Sequence, residues 1–521
     1  MPTNARQPAP SPALALGGVL TTAQVEDIAR SRVAEITIPG AIIKRIEASR
    51  KVVENAMAEG RTIYGVNTGF GSLANTRVSP DDLRALQLNL IRSHAACIGD
   101  PLPTPTVRAM LTLLCASLCR GRSGVRPVVI RTLVGMLNAG VTPIVPETGS
   151  VGASGDLAPL AHAVLVALGE GEAEFNGARA PGGEALRLAG IEPIHLEAKE
   201  GLALINGTHL MAARASLALG AIDRVLASAV VATGLAIDAA RATDAFLDPR
   251  VHAARNQPNQ ARAAALILDQ LAGSEILPSH RVDDPRVQDP YSYRCAPVVL
   301  GAAMDLIDAA RTTVERELGA VTDNPLVFGG DDGAGPDIVS AGNFHGMPLA
   351  VQLDSLSVAL CHVAGIAERR VFQLLAARDP HNPLTPHLSP KPGAQSGLMI
   401  TQYTAAACVN ELQTLATPAS VANIPTCAGM EDYNSFGPTS ARQLNRAVDL
   451  AASVVAIELL CCCAALDQHS PRTGRNLEEA RRIVREVVPA LTEDRPPSPD
   501  IEAIRRLILA GRFSRFITAA E

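Results

Sequence analysis

The sequence predicts a mainly α-helical protein. Apolar residues recur at helical spacing through several long segments, of which 107–118, 129–137, 210–239 and 349–375 are examples. Runs of β-branched residues bounded by turns are short and few. Alanine and leucine are abundant, and both favour helix. Hydrophobic residues make up 47% of the 521 residues, which is enough to bury a large core.

The composition argues against several functions. The net charge is -6 with 19% charged residues, so no basic face for nucleic acid is expected. No segment has about 18 uninterrupted apolar residues, the length of a membrane span. The closest, 451–466, is interrupted by Glu458, which favours a helix inside a bundle or at a subunit interface.

Ten cysteines show no metal-like spacing, and no metal is predicted. The adjacent residues Cys461, Cys462 and Cys463 lie in an apolar helical run, which favours small core residues over ligands. With no secretory signal in the sequence, the reducing cytoplasm is the expected compartment.

Three small residues, Ala153-Ser154-Gly155, carry a chemistry of their own. In a tightly bent backbone, which glycine permits, the amide nitrogen of Gly155 can attack the carbonyl carbon of Ala153. Ring closure with loss of water, followed by loss of the Ser154 hydroxyl, leaves an exocyclic methylidene on an imidazolone. That group is a strong electrophile. The tripeptide alone also fits an ordinary flexible loop, so the rest of the chain must decide.

Six further blocks stand in order along the chain around this tripeptide. They are residues 64–71, 89–94, 204–208, 287–295, 322–328 and 342–345. With the glycine-rich flank of the tripeptide, this ordered set resembles the aromatic amino acid ammonia-lyase and aminomutase family, also called the histidine ammonia-lyase family. In that family the tripeptide becomes a 4-methylidene-imidazol-5-one, and the resemblance implies the same cofactor from Ala153, Ser154 and Gly155.

The resemblance implies a long central helical bundle with a smaller mixed N-terminal region that carries the cofactor loop. The domains predicted on this basis are 19–205 for the cofactor-bearing region, 206–470 for the central long-helix bundle and 471–521 for a C-terminal helical region. Residues 1–18 are predicted to form a disordered tail. Residues 249–292, rich in proline and polar residues, are predicted to form a loop over a site. A homotetramer with active sites shared between subunits is also implied.

Elimination of ammonia requires an electrophile, a base for the β-hydrogen, a carboxylate clamp and donors for developing charge. The resemblance implies Tyr64 as the base, although a buried tyrosine is also common packing material. Tyr291 and Asn206 would orient the electrophile and donate to its oxygen or to the amine. Arg294 would clamp the carboxylate through two parallel hydrogen bonds, the alternative being a surface ion pair. Gln288 is expected to contact the same carboxylate.

Four more residues are predicted at the site. Phe328 would pack on the substrate ring or the cofactor, with core packing as the alternative. Glu411 lies on an otherwise apolar helix, where an acid needs a partner. It is predicted to act in a polar pocket, with a structural salt bridge as the alternative. Ser93-His94 resembles the selectivity pair of histidine ammonia-lyases, in which histidine hydrogen-bonds an imidazole and Glu411 would hold its other nitrogen. Some tyrosine aminomutases share this pair, and a core histidine is the alternative.

The predicted function is therefore elimination of ammonia from L-histidine to give trans-urocanate. Departures from the family pattern keep the substrate open: Gly429-Met430 replace Asn-Gln before an acidic pair, His387 replaces Phe, Gln395 replaces Asn, and Lys391 adds a cation. The alternatives are a lyase or aminomutase of the same family acting on tyrosine or on a histidine derivative such as ergothioneine. A non-catalytic homologous scaffold is the alternative of another class.

Overall fold

The structure, a computed structural model, describes residues 13–73, 78–79, 82–329, 335–377, 382 and 384–517. Within these residues the chain forms nineteen α-helices and nine short β-strands. All four segments with apolar residues at helical spacing are helical, so the prediction of a mainly α-helical protein is confirmed.

The helices are α1 (Thr22–Ala29), α2 (Gly40–Ala58), α3 (Leu83–His94), α4 (Thr104–Leu118), α5 (Pro127–Ala139), α6 (Leu157–Ala167), α7 (Gly182–Leu188), α8 (Glu200–Ile205), α9 (His209–Ala239), α10 (Pro249–Arg255), α11 (Pro258–Gln270), α12 (Ile276–Ser279), α13 (Tyr291–Arg294), α14 (Ala296–Glu317), α15 (Met347–Ala376), α16 (Met399–Leu415), α17 (Gly437–Leu466), α18 (Arg475–Arg485) and α19 (Ser498–Leu509). The strands are β1 (Leu14–Ala15), β2 (Ile36–Thr37), β3 (Ile98–Pro101), β4 (Thr142–Pro143), β5 (Pro146–Thr148), β6 (Glu172–Phe175), β7 (Ala178–Pro181), β8 (Leu326–Gly329) and β9 (Pro336–Val339).

The chain divides into two compact units, and the first comprises Met1–Leu217, Arg311–Leu353 and Ala419–Arg442. All nine strands lie in this unit. β1 pairs with β2 in parallel, and the pairs β3-β5, β4-β6, β6-β7 and β8-β9 are antiparallel. Helix α4 is buried over almost its whole length because apolar residues occupy nearly all of its faces. It packs on α1 and α5, while α6 packs on α3 and α8.

Helix α5 shows how the sequence sets helix bounds. It begins at Pro127, whose missing N–H is not needed in the first turn. It ends before Gly140, which adopts a φ of 79° and so closes the helix in a left-handed conformation.

The second unit comprises Ala218–Ala310, Asp354–Pro418 and Gln443–Glu521, and its described residues form helices without a strand. Residues of α17 lie at its centre. Cys462 Sγ lies 3.8 Å from the carbonyl oxygen of Ala232 on α9, and Cys461 Sγ lies 3.7 Å from the Thr401 hydroxyl on α16. The three adjacent cysteines are buried and free, as expected of small core residues. The part of the chain that the structure describes holds no group of three or more His, Cys, Asp or Glu placed to bind a metal.

Two segments differ from the sequence predictions. Of the predicted tail, residues 1–12 lie outside the described residues, whereas Leu14–Ala15 pairs with Ile36–Thr37 and Leu16 is buried. These residues therefore belong to the folded part. The loop predicted over 249–292 is wrong, because α10, α11, α12 and α13 occupy most of it. Proline is common in loops, but Pro249 and Pro258 each stand in the first turn of a helix.

Three helices, α9, α15 and α17, are long and apolar enough to cross a membrane by length and composition. Their most apolar 18-residue windows are 72%, 61% and 89% buried inside the protein, respectively. Their apolar side chains are therefore used mainly for internal packing.

A buried ion pair in the first unit joins α8 to the segment before β8. Lys199, which precedes α8, places its Nζ 2.6 Å from Asp323 Oδ2, and both side chains are almost fully buried. Burial lowers the pKa of the Lys199 ammonium, while the charge of Asp323 opposes that effect.

We expect Lys199→Met to destabilise the protein by about 3–5 kcal/mol, because the variant leaves the Asp323 carboxylate buried without a counter-charge. The double variant Lys199→Met/Asp323→Leu should recover most of this loss, since it removes both charges. Urea unfolding followed by far-UV circular dichroism measures the effect. Lys51→Met, at an exposed lysine, is the control. A single variant as stable as Lys51→Met would show that the pair contributes nothing.

Candidate active site

Side chains from several segments of the first unit surround a cavity of about 390 Å³. Its polar lining consists of Tyr64, Asn89, Ser93, His94, Ser154, Asn206, Cys427 and Glu431. A second cavity of about 500 Å³ shares Tyr64, Ser154, Asn206 and Glu431 with the first, and adds Phe344, His345, Met430 and Tyr433. Ser154 therefore lines both cavities, together with Tyr64, Asn206 and Glu431.

At two positions of the tripeptide loop, the backbone conformation and its neighbours leave room only for glycine. Gly155 has a φ of 72°, and a Cβ there would overlap the backbone of Gly207. Gly152 has a φ of 69°, and a Cβ there would overlap the hydroxyl of Ser435. The residue after the tripeptide is held by a backbone hydrogen bond, since the N–H of Asp156 donates to the carbonyl oxygen of Gly207 at 2.7 Å.

Asp156 ties this loop to the start of α9. Its Oδ2 accepts hydrogen bonds from the backbone N–H groups of Leu210 and Met211, at 2.9 and 3.0 Å, and its Oδ1 accepts one from the Ser150 hydroxyl at 3.2 Å. The carboxyl is completely buried, which raises its pKa to about 6, although these hydrogen bonds act in the opposite direction. The partial positive charge of the helix N-terminus also favours an acid here.

Asn206 follows α8 and lies against the same loop. Its side chain is almost fully buried, and no described residue donates a hydrogen bond to its Oδ1. A buried amide oxygen without a partner costs free energy, and such groups are normally satisfied by a ligand or water. Asn206 lines both cavities, so its amide is available to a group bound there.

Tyr64 reaches the site from a loop between α2 and α3. The N–H of Gly71 donates to its hydroxyl oxygen at 3.3 Å. Burial raises the pKa of the phenol, and Cys427 and Glu431 nearby raise it further, while the Gly71 hydrogen bond lowers it. Tyr64 is therefore a neutral phenol at neutral pH in this environment.

Ser93 and His94 end α3 and both face the first cavity. His94 Nδ1 lies 2.8 Å from the carbonyl oxygen of Leu90, which can only accept a hydrogen bond. This contact assigns the proton of a neutral ring to Nδ1 and leaves Nε2 as an acceptor. Burial lowers the pKa of His94, which favours that neutral form.

The carboxylate that contacts the tripeptide is Glu431, which was not among the residues predicted for the site. The Ser154 hydroxyl donates to Glu431 Oε1 at 2.9 Å, and the Thr426 hydroxyl donates to Oε2 at 2.6 Å. Glu411 lies on α16 in the second unit and accepts two hydrogen bonds from Arg446, at 2.7 and 3.0 Å. Both of those side chains are about half exposed, so Glu411 forms a salt bridge within the second unit, and its predicted role at the substrate stays a prediction. The acidic pair at 431–432 was the signal that could have found Glu431.

Phe344 lines the second cavity, whereas Phe328 lines neither of the two. Phe328 lies half-buried on β8 with the guanidinium of Arg122 5.1 Å from its ring centre, and its predicted contact with the substrate or cofactor stays a prediction. Phe344 belongs to the block 342–345, and that membership was the signal that could have identified it.

Gln288, Tyr291 and Arg294 belong to the second unit. Tyr291 is 71% exposed at the start of α13, and the Arg294 guanidinium lies 4.5 Å from its ring centre. Arg294 Nε donates to the carbonyl oxygen of Asp289 at 3.1 Å. Gln288 is exposed. Within this unit α13 thus presents an aromatic ring and a guanidinium side by side.

The residues that depart from the family pattern are divided between the two units. Met430 lines the second cavity of the first unit beside Glu431. His387, Lys391 and Gln395 belong to the second unit, where Lys391 is exposed and His387 adopts a φ of 55°. Within the first unit, the change at Met430 therefore borders a cavity around Ser154.

Comparison with known proteins agrees with this geometry. The family model described as aromatic amino acid lyase matches residues 20–486. A histidine ammonia-lyase of Anaeromyxobacter sp. (strain K) is 47% identical over 508 residues, covering 95% of this chain and 98% of that protein. The crystal structure of histidine ammonia-lyase from Trypanosoma cruzi superposes with a TM-score of 0.88 at 37% identity, covering 97% of this chain and 95% of that one. Tyrosine aminomutase from Streptomyces globisporus gives a TM-score of 0.91 at 32% identity, covering 98% and 99%.

The helical scaffold and the site around Ser154 therefore define the protein as a carbon–nitrogen lyase that acts on an amino acid. The chain belongs to the aromatic amino acid lyase family, as the match over most of its length shows.

We expect Asp156→Asn to remove a pH-dependent part of the stability. The folded pKa of about 6 lies above the value near 4 of an unfolded aspartate. The contribution of Asp156 is therefore fully present below pH 4 and is lost as the pH rises through 6. A shift of two units corresponds to about 3 kcal/mol.

Urea unfolding at a series of pH values measures this effect. The unfolding free energy of the wild type minus that of Asp156→Asn should fall by up to about 3 kcal/mol between pH 4 and pH 7. Asp100→Asn, at an exposed position of β3, is the control. A difference that stays constant across this range would contradict the role given to burial.

Proposed function

We propose that the protein is a histidine ammonia-lyase, which eliminates ammonia from L-histidine to give trans-urocanate. The observation that carries the proposal is the first cavity, where Ser154, Asn206 and Tyr64 line the same space as His94 and Glu431. The similarity to histidine ammonia-lyases over almost the whole chain supports the same substrate.

We propose that Ala153, Ser154 and Gly155 form a 4-methylidene-imidazol-5-one. The residues present fit this group. The backbone at Gly155 has a positive φ and no room for a side chain, and the buried Asn206 amide carries an oxygen that no described residue bonds. When formed, the group supplies an electrophile that withdraws electrons from the substrate, so that ammonia becomes a better leaving group.

The proposed choice of substrate follows from two acceptors in the first cavity. His94 offers Nε2 because its Nδ1 proton is held by Leu90, and Glu431 offers carboxylate oxygens. A substrate ring with N–H donors satisfies these acceptors, whereas a phenyl ring leaves them unpaired at a cost. An imidazole ring therefore suits the cavity better than a phenyl ring does.

Tyr64 is proposed to take the β-proton. Since burial raises its pKa, the phenol needs a positive charge nearby to become a base, and the substrate ammonium group brings one.

Arg294 is proposed to clamp the substrate carboxylate with help from Gln288. Tyr291 and Asn206 are proposed to donate to the developing charge.

A homotetramer with active sites shared between subunits is proposed as the assembly. The high exposure of Tyr291, an aromatic residue proposed for catalysis, is consistent with an active site completed by another copy of the chain.

The cytoplasm is proposed as the compartment, since the ten free cysteines need a reducing environment.

The function is tested with L-histidine, tyrosine, phenylalanine and ergothioneine, by following product absorbance and released amine. We expect urocanate and ammonia in equal amounts from histidine. Ser154→Ala should fold normally and be inactive, because the electrophile cannot form. Turnover of tyrosine without release of ammonia would instead favour an aminomutase, and inactivity on all four compounds would favour a scaffold.

Tyr64→Phe tests the base. We expect kcat to fall by about 10²–10⁴-fold, the contribution of a positioned acid or base. The near-ultraviolet absorbance of the imidazolone should be retained, and the chain has no tryptophan to obscure it. Tyr403→Phe, at an exposed tyrosine of α16, is the matched control and should leave kcat unchanged. A Tyr64→Phe variant with wild-type kcat would exclude the phenol as the base.

A further inference from the structure

Glu458, the acid that interrupts the most apolar stretch of the chain, is paired inside the second unit. It lies on α17 with no exposed side-chain surface, and both of its carboxylate oxygens accept hydrogen bonds from Arg370 on α15. The bond from Nη2 measures 3.1 Å, and Nε makes the other. Arg370 is equally buried.

Stability alone does not account for a charge pair at this position. Replacing a buried ion pair by apolar side chains of similar volume is often neutral or stabilising. The surrounding residues of α17, such as Val455 and Leu459, are apolar and buried. A third contact of Arg370 indicates what the pair does.

Arg370 Nη1 donates to the carbonyl oxygen of Ser292 at 3.2 Å. Ser292 lies within α13, a helix of only four residues. A single helical turn gains little stability from its own hydrogen bonds, so its orientation depends on external contacts. The neighbouring Tyr293 side chain is also buried, whereas Tyr291 is exposed. One side of α13 is thus anchored in the core and the other carries Tyr291 and Arg294.

The rigidity of the guanidinium gives the pair its directional effect. The group is planar with its N–H donors in a fixed fork. Once Nε and Nη2 are bonded to Glu458, the direction of Nη1 is fixed. Glu458 therefore sets where Arg370 can bond α13, which a lysine, with its rotatable ammonium, would not reproduce.

We propose that Arg370 and Glu458 are positioning residues that hold α13 so that Arg294 binds the substrate carboxylate. The inference depends on the proposed function, in which Arg294 is the carboxylate clamp. Loss of the contact to Ser292 frees α13 to shift and moves the guanidinium of Arg294, with Tyr291 beside it, away from its binding orientation.

The test is the double variant Arg370→Met/Glu458→Leu, which replaces both charges by apolar groups and removes the donor to Ser292. Two ligands of the holoenzyme are compared: urocanate, which carries a carboxylate, and histamine, which has the imidazole and the amine without it. We expect urocanate binding to weaken by about 10–100-fold, the range for a lost hydrogen bond to a charged group, while histamine binding stays unchanged. The KM for histidine should rise, and the near-ultraviolet absorbance should persist.

Three further variants make the result decisive. Arg294→Ala should show the same selective loss of urocanate binding. Arg370→Lys, which keeps the charge, should resemble the double variant and replaces it as the test if the double variant does not fold. Leu360→Ala removes apolar packing at a buried position ten residues earlier on α15. It should lower the melting temperature but keep the Arg370 contact to Ser292 and the wild-type ratio of the two affinities.

The inference is overturned if the double variant binds urocanate as tightly as the wild type while Arg294→Ala does not. It is also overturned if urocanate and histamine binding weaken equally, since that is the result of a purely structural role. A wild-type protein that does not convert histidine would instead overturn the proposed function.

Discussion

The contact between Gly155 and Gly207 is the constraint on which the site depends. The two backbones approach so closely that a side chain at Gly155 would overlap Gly207. Asp156, the next residue, accepts the first N–H groups of α9 and so fixes the loop to a helix of 31 residues. The tripeptide loop is therefore held in place by a long helix, which suits residues proposed to form a functional group.

A second theme is the use of buried charges to hold short helices. Lys199 pairs with Asp323 where α8 begins, and α8 leads directly to Asn206. Arg370, paired with Glu458, bonds α13, which carries Arg294. Helices of four to six residues are not stable in isolation. In both cases an ion pair anchors a short helix next to a proposed site residue. Asn206 follows α8, and Arg294 belongs to α13.

The first cavity contains a neutral hydrogen-bond acceptor, His94, and a carboxylate, Glu431. His94 keeps its Nδ1 proton on Leu90, and burial holds its pKa low, so its free nitrogen accepts hydrogen bonds. Glu431 is bonded by the hydroxyls of Ser154 and Thr426. These groups give the cavity hydrogen-bond acceptors. Because burial raises the pKa of Tyr64, its proposed role as a base requires a positive charge nearby.

The sequence by itself determined the helical class and the Ala153-Ser154-Gly155 tripeptide, because helical periodicity and the chemistry of adjacent residues are local properties. It did not indicate that Glu431 contacts Ser154 or that Phe344 lines the second cavity. Both features depend on which side chains meet across the chain, and Glu431 lies 277 residues from the Ser154 hydroxyl it contacts.

The tertiary structure also decided features that have no local signal. Pro249 and Pro258 looked like loop markers but begin helices, since proline suits both a turn and a first helical turn. Glu458 stood out in the sequence only as an interruption of an apolar run. Its partner Arg370 lies 88 residues away, and only packing of α15 against α17 brings the two charges together. The sequence thus specified the tripeptide proposed to form the electrophile, and long-range burial and pairing specified its surroundings.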